Sequence, residues 1–351
     1  MSGERTDDRI DGTSRHARLA RVWFALFVVS SILSAVTAAT LVPHLQNSAE
    51  LVRMRNALLL EAEPAVYEWS PAAAPEAFDL DDATPNPLYA EAVREHSLRV
   101  EGDDWASALA IGRHLLASGK RNGGAIQSDL DDTYRRITTR GEGYCGDFAD
   151  VFTGLANVAG VFSRPWAFSF DGFGGHGHIF NEIWDSGRSR WVAIDVFNNM
   201  YFTGENGEPL SAIELRTALA GDTPLRLVRI EPSAPPGYQY EDKAIAYYRR
   251  GLPEWYMWWG NNVFEYDQSP IVRTLGDAHR ALEQLGGVAA GVHPAVRILE
   301  TPDNEAQRES IYWLRLRLLA AVVLAVATIV CLAVWLRLRR GAQRESGRAP
   351  R

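Results

Sequence analysis

Gly141-Glu142-Gly143-Tyr144-Cys145-Gly146-Asp147-Phe148-Ala149-Asp150 is the stretch whose reading decides how this 351-residue chain folds. Phe148, Val151, Phe152, Leu155 and Val158 then recur at spacings of three and four. That spacing predicts one buried stripe of an amphipathic helix. The two glycines ahead of it predict a turn, so Cys145 falls at the helix start. Unpaired N–H groups and the positive end of the helix dipole favour thiolate over thiol there. A lone cysteine is usually a small buried hydrophobe, and only this placement singles Cys145 out.

Downstream, Gly177-His178-Ile179-Phe180-Asn181-Glu182-Ile183-Trp184 and Ser189-Arg190-Trp191-Val192-Ala193-Ile194-Asp195 flank the polar run Asp185-Ser186-Gly187-Arg188. Two strand-like segments around such a turn predict a hairpin. With Asp185 to Arg188 as the turn, Trp184 faces Ser189, Glu182 faces Trp191 and His178 faces Asp195. Directly opposed residues have Cβ atoms about 4.5–5.5 Å apart, so an imidazole N–H reaches the carboxylate. A one-residue slip would place the two on opposite faces.

An aspartate so placed orients the ring and stabilises its charged form, leaving the other ring nitrogen to take a thiol proton. Cys145, His178 and Asp195 are therefore the candidate catalytic residues, as nucleophile, base and orienter. Alone, His178 and Asp195 also read as an ordinary cross-strand polar pair; the three elements together favour catalysis. His176-Gly177-His178 with Asp195 offers a metal reading, but catalytic zinc wants a third clear ligand and an open position. Cys145 weighs for thiol chemistry, and no metal or cofactor is assigned. His176 is placed in a Gly-rich loop, Asp171 to Gly177, that lines or gates the cleft, and it is the fallback base if the register differs.

The pattern resembles the transglutaminase-like superfamily, the circularly rearranged relatives of papain. The matching residues are Gly-x-Gly-x-Cys-x-x-Phe-Ala at Gly141 to Ala149, Gly160-Val161-Phe162-Ser163-Arg164, His178-Ile179-Phe180-Asn181-Glu182, and Trp191-Val192-Ala193-Ile194-Asp195. Ser163 stands where the family often has Ala. The resemblance spans roughly Asp103 to Tyr201 with all three triad positions in order. It implies an α+β, transglutaminase-like (papain-like) core with the nucleophile helix packed on an antiparallel sheet. It further implies peptidase, amidase, transglutaminase or acyltransferase chemistry through a thioester on Cys145. The Cys145 backbone N–H is one oxyanion donor; the second, which the family takes from upstream of the cysteine, is not identified.

The surroundings set the compartment. Val22 to Val42 and Leu318 to Leu336 are apolar runs without an internal charge, and about 20 such residues cross a bilayer core. Arg5, Arg9, Arg15, Arg18 and Arg21 precede the first; Arg337, Arg339, Arg340, Arg344, Arg348 and Arg351 follow the second. Positive flanks put both termini in the cytoplasm and the middle of the chain outside it, at the inner membrane of a bacterial cell. Arg315 and Arg317 sit on the other side and can snorkel. Val36-Thr37-Ala38 also resembles a signal-peptide cleavage site, and the second span anchors the chain in either case.

The organisation expected is a tail at 1–21, a span at 22–42, a helical segment and linker at 43–102, the catalytic domain at 103–235, an aromatic-rich extension at 236–317, a span at 318–336 and a basic tail at 337–351. Leu45 to Glu61 reads as a helix, Ser70 to Pro87 as the linker, and Asp103 or Asp104 as the cap of a helix through Leu116. Trp255, Tyr256, Trp258, Trp259, Phe264 and Tyr266 read as core packing or an interface belt before a sugar- or peptide-binding wall. In that wall Asn261, Asn262 and Asp267 would supply polar contacts. Cys145 and Cys331 are the only cysteines, and the second lies in an apolar span, which excludes a disulfide within one soluble domain. A net charge of −8 argues against nucleic acid as a partner.

The partners expected are a protein or peptide-like amide substrate, the lipid bilayer and an envelope complex. Two functions fit: a membrane-anchored cysteine enzyme acting on an amide outside the cytoplasm, or a non-catalytic module scaffolding an envelope or polysaccharide-export complex.

Overall fold

The computed structural model of the chain describes residues 4–61, 66–124 and 126–346; Arg348 and Arg351 of the basic tail lie outside the described residues. It divides into two compact units, one made of Met1–Asn47 with Trp313–Arg351 and the other of Ser48–Tyr312.

In chain order the helices before the first strand are α1 (Glu4–Leu41), α2 (Ser48–Leu59), α3 (Pro87–Glu95), α4 (Asp104–Leu116), α5 (Leu130–Arg140) and α6 (Cys145–Val158). Strands β1 (Ser163–Ser169), β2 (Gly177–Asp185), β3 (Arg190–Ile194) and β4 (Met200–Thr203) follow. Then come α7 (Ala212–Ala220), β5 (Arg226–Arg229), α8 (Glu241–Arg250) and β6 (Trp255–Trp258). The chain continues through α9 (Val263–Gln268), α10 (Pro270–Gly276), α11 (Arg280–Ala290), β7 (Val296–Ile298) and α12 (Glu305–Ser346).

His16–Leu45 and Pro302–Gln343 contain helices long and apolar enough to cross a membrane. Val29, Ile32 and Val36 on α1 and Val322, Val323 and Ile329 on α12 leave much of their surface uncovered by protein. Helices apolar all round suit a lipid solvent. The ring of Trp335 lies 5.1 Å from that of Phe24 and 6.4 Å from that of Phe27, and Ser34 Oγ is 3.2 Å from Thr328 Oγ1. Those contacts run in opposite directions along the chain, so the helices are antiparallel.

The second unit is built on a five-stranded antiparallel sheet in the order β3-β2-β1-β6-β7, with β4 and β5 paired beside it. Helix α6 packs on one face. Its stripe of Phe148, Val151, Phe152 and Leu155 meets Ile183, Val192 and Ile194 from the strands, with α3, α4 and α5 closing the core behind it. The opposite face carries an aromatic core including Trp166, Phe168, Phe180, Trp191 and Trp255. Alternating side chains thus supply both cores, as expected of a sheet covered on both sides.

Helix α4 begins where the sequence indicates, with Asp103 Oδ1 accepting the N–H of Ala106 at 2.8 Å. Helix α5 has no counterpart in the sequence reading. It is rich in charge, and Leu130, Thr133, Tyr134 and Ile137 mark its buried side. It ends at Gly141, whose φ of +63° makes the left-handed cap; a Cβ there would lie 2.3 Å from the Lys120 carbonyl oxygen.

The stretch expected to be a linker, Ser70 to Pro87, is packed against the core. Phe78 is buried 5.0 Å from the Trp69 ring and 5.8 Å from that of Trp259. The Asp79 N–H donates to the Trp259 carbonyl, and the Asp81 carboxylate accepts the N–H groups of Phe264 and Glu265 at the start of α9. Pro and Ala make the segment look like a spacer, whereas its partners lie about 180 residues away in sequence. The aromatic extension likewise supplies β6 and β7 to the same sheet as the hairpin.

Candidate active site

Cys145 is the first residue of α6. The Asp147 carboxylate reaches back 2.7 Å to the N–H of Tyr144, a turn-closing bond that holds the helix start. From the middle of α6, the Ala149 carbonyl and Thr153 Oγ1 accept the two N–H bonds of the Asn181 amide, at 3.2 and 2.9 Å. Asn181 lies on β2, so the helix that begins at Cys145 is locked in register to the strand that begins beside His178.

The hairpin closes one residue later than the sequence suggests. Asp185 pairs with Arg190 and Trp184 with Trp191, leaving residues 186–189 as the turn. Glu182 therefore faces Ala193 instead of Trp191. The Asp185 carboxylate accepts the Arg188 N–H and pairs with its guanidinium, while Ser189 takes a φ of +51°. Each partner moves by two residues, so every side chain keeps its face. His178 and Asp195 become diagonal neighbours on one face, and diagonal pairs remain within reach of long side chains. His178 Nε2 donates to Asp195 Oδ2 at 2.7 Å, with both side chains buried.

Beyond β3 the chain turns tightly, and Asp195 and Met200 exchange backbone hydrogen bonds. The Asp195 Oδ1 atom accepts the Asn198 N–H at 3.0 Å, an Asx turn that brings Asn198 back over the pair. Asn198 Nδ2 donates to Asp195 Oδ2 at 2.7 Å, and the Tyr248 hydroxyl from α8 donates to the same oxygen at 2.7 Å. Burial alone would raise the Asp195 pKa; the charge of His178 and the bonds from His178, Tyr248 and Asn198 override it and hold it low. Burial alone would lower that of His178. The Asp195 charge and hydrogen bond, with a hydrogen bond and charge from Cys145, push it up to about 10.

The structure thus brings Cys145, His178 and Asp195 together. Cys145 is half-buried, and it shares a small cleft with Phe148, Ile179, Phe180, Asp195 and Phe197. Because Nε2 is committed to Asp195, Nδ1 is the ring nitrogen left for the thiol. Aromatic rings fix the imidazole on several sides: those of Phe168, Tyr248 and Tyr247 have centroids 5.7, 5.9 and 6.0 Å away.

Asn198 and Tyr248 are the site residues the sequence did not reveal. Asn198 stands three residues after Asp195, the one local signal available. Tyr248 is 53 residues from its partner, and nothing around it announces a hydrogen bond to a carboxylate.

His176 is exposed, and its ring faces Asp171 at 3.5 Å, while the His178 ring faces Asp195. The two histidines therefore serve different carboxylates. Among the described residues no group of three or more His, Cys, Asp or Glu is placed to hold a metal ion. The Gly-rich loop is tied to its neighbours at several points. Glu254 accepts the N–H groups of Gly172 and Phe173, the Asn56 amide holds the Phe173 carbonyl at 2.8 Å, and the Gly175 N–H donates to the Ala49 carbonyl. A Cβ on Gly175 would lie 2.7 Å from the Ala49 Cα, so only glycine permits this approach.

No curated protein and no solved structure matches the chain. Residues 99–196 match the family model of the transglutaminase-like superfamily, a segment that runs from just before α4 to one residue past Asp195. It includes Cys145, His178 and Asp195 and stops short of Asn198 and Tyr248. Over those residues the chain carries a transglutaminase-like domain.

Proposed function

We propose that this protein is a membrane-anchored cysteine enzyme that transfers or hydrolyses an acyl group from an amide, outside the cytoplasm. The observation that carries the reading is the buried His178–Asp195 pair at 2.7 Å, with one ring nitrogen left toward Cys145 at the start of α6. In that arrangement the thiol proton passes to His178 Nδ1 and the sulfur attacks the amide carbonyl carbon. The oxyanion takes a hydrogen bond from the Cys145 N–H, and removing one such donor typically costs about 10²–10³-fold in rate. Collapse expels the amine, which takes its proton from His178, and leaves a thioester on Cys145. Water then gives hydrolysis, and an amine gives transfer.

The pairing of α1 with α12 supports retention of both spans, because Phe24, Phe27 and Ser34 have partners on the second helix. Antiparallel spans put both ends on one side, and the arginine flanks favour the cytoplasmic side for them.

The test follows iodoacetamide alkylation of Cys145 in the full-length protein in detergent micelles, read on the peptide that contains it so that Cys331 does not contribute. Alkylation at pH 7 should outpace that of glutathione, and His178→Ala should slow it about 10²-fold or more, the scale of a positioned base. A Cys145 no faster than glutathione and indifferent to His178 would sink the enzyme reading and leave a scaffolding module.

A further inference from the structure

A second polar feature borders the Cys145 cleft and plays no part in the triad. Phe197 lines the cleft, and the guanidinium carbon of Arg121 lies 4.3 Å from the centre of its ring. Arg121 Nη2 donates to the neutral Asn198 Oδ1, at 3.1 Å. Arg229 approaches the same corner from β5. It is paired in the ladder with Met200, and its guanidinium donates to the Tyr238 carbonyl. The Gly237 N–H in turn donates to the Asn198 carbonyl, so Arg121, Arg229 and Tyr238 gather around one residue of the site.

Among the described residues neither guanidinium is ion-paired with a carboxylate, unlike Arg99, Arg136, Arg164 and Arg190. Arg229 Nη1 is buried and has no hydrogen-bond partner. Arg229 as a whole is half-buried and its other end is spent on Tyr238, so this one unspent donor atom is what an incoming acceptor could satisfy. The two cations also oppose each other: burial first, then the charge of Arg121, depresses the Arg229 pKa. Burial lowers the Arg121 pKa, and the charge of Asp195, then that of Tyr238 and of Cys145, act against it from the site. Two like charges held together beside a nucleophile, with donors unspent, suit an anionic oxygen group, which takes charge-assisted bonds from both.

We propose that Arg121 and Arg229 form an anion subsite at the mouth of the Cys145 cleft, which selects acyl donors bearing a carboxylate or phosphate oxygen close to the scissile amide. This assignment rests on Cys145 as the reacting atom. It makes the two arginines substrate-recognition residues and leaves proton transfer to His178.

The experiment compares two alkylating reagents of one shape, anionic iodoacetate and neutral iodoacetamide, on Cys145 of the full-length protein. Their rate ratio cancels whatever activates the thiol, and the iodoacetamide rate alone reports that activation, so the two readings fail separately. The iodoacetate-to-iodoacetamide ratio should exceed that of glutathione about tenfold, as expected when a charged site steers an anion. Arg121→Gln should lower the ratio about fivefold and Arg229→Gln by less, while Arg121→Lys keeps most of it. Acetate and inorganic phosphate, added as competitors, should each slow iodoacetate more than iodoacetamide, and the stronger of the two identifies the preferred oxyanion. A ratio equal to that of glutathione overturns the proposal. So does an Arg121→Gln variant that slows both reagents equally, since that is the mark of an arginine that only positions Asn198. Should Arg121→Gln fail to fold, the Arg121→Lys ratio and the competition in wild type decide alone.

Discussion

Two buried acid–base pairs sit on the same strand face, two pleat repeats apart, with different surroundings. Every guanidinium nitrogen of Arg164 and both carboxylate oxygens of Glu182 have a partner. The guanidinium bonds Glu182 Oε2 at 2.7 and 2.8 Å, donates to the Tyr67 carbonyl and lies 3.5 Å from the centre of the Trp191 ring. The carboxylate also accepts the Trp166 indole N–H at 2.8 Å and the Ala212 N–H at 2.7 Å. His178 and Asp195 are as deeply buried, and Asp195 is as fully satisfied, yet the imidazole turns its second nitrogen to the Cys145 thiol. Saturation makes a pillar of the first pair; a bond to a thiol is what the proposed chemistry of the second would use. Burial and charge alone do not separate them.

Breaking one partner of each pair should show the difference. In Arg164→Met, Glu182 stays buried without its counter-charge, and a loss of about 3–5 kcal/mol is typical of such a change. Urea unfolding of the full-length protein in micelles measures it, and a loss below about 1 kcal/mol would mean the pair is not a pillar. Alkylation of Cys145 in the folded fraction should stay near wild type.

The pH dependence sharpens the contrast further. His178 has its pKa raised from 6.5 to about 10, so its contribution to stability is complete below pH 6.5 and is lost as pH rises through 10. Asp195 has its pKa lowered from 3.8, so its contribution is complete above that value and is lost as pH falls through the depressed one. The pair therefore stabilises most between about pH 4 and 6.5, while the arginine pair carries no proton switch in that range. Unfolding measured from pH 4 to pH 10 should show stability falling above pH 6.5 in wild type. That slope should vanish in His178→Gln, and equal slopes in the two proteins would count against a protonated pair.

The smallest effect expected comes from Tyr248→Phe, which removes one of the bonds to Asp195 Oδ2 while keeping the ring in place. A hydrogen bond to a charged group is worth about 1.5–3 kcal/mol, so Cys145 alkylation at pH 7 should fall about tenfold. An unchanged rate would show that His178 and Asn198 suffice to hold Asp195.

How much of this was legible beforehand follows from the range of each interaction. The helix beginning at Cys145 was readable because its apolar stripe repeats every three or four residues. The shared face of His178 and Asp195 was readable because strand alternation preserves parity. Their direct opposition was not: a local contest at the turn, won by Asp185 with Arg188 and by the left-handed Ser189, moved the register by one pleat. The aromatic segment packs into the core as its composition suggests, with Trp255, Trp259 and Phe264 buried, whereas the Ser70 to Pro87 segment is no linker, since spacer-like composition says nothing of partners such as Phe264.

By itself, the sequence determined the local elements on which the proposed chemistry rests: a cysteine at a helix start, a histidine and an aspartate on one strand face, and two helices apolar enough to cross a membrane. Periodicity, turn residues and length are properties of neighbours along the chain. Only the tertiary structure decided what surrounds that chemistry. Tyr248 comes to Asp195 from 53 residues away, and Arg121 comes to Asn198 from 77. The Gly-rich loop is tied to α2 by Asn56 across 117 residues. Contacts at such separations depend on how whole helices and strands pack, and no short-range pattern encodes that.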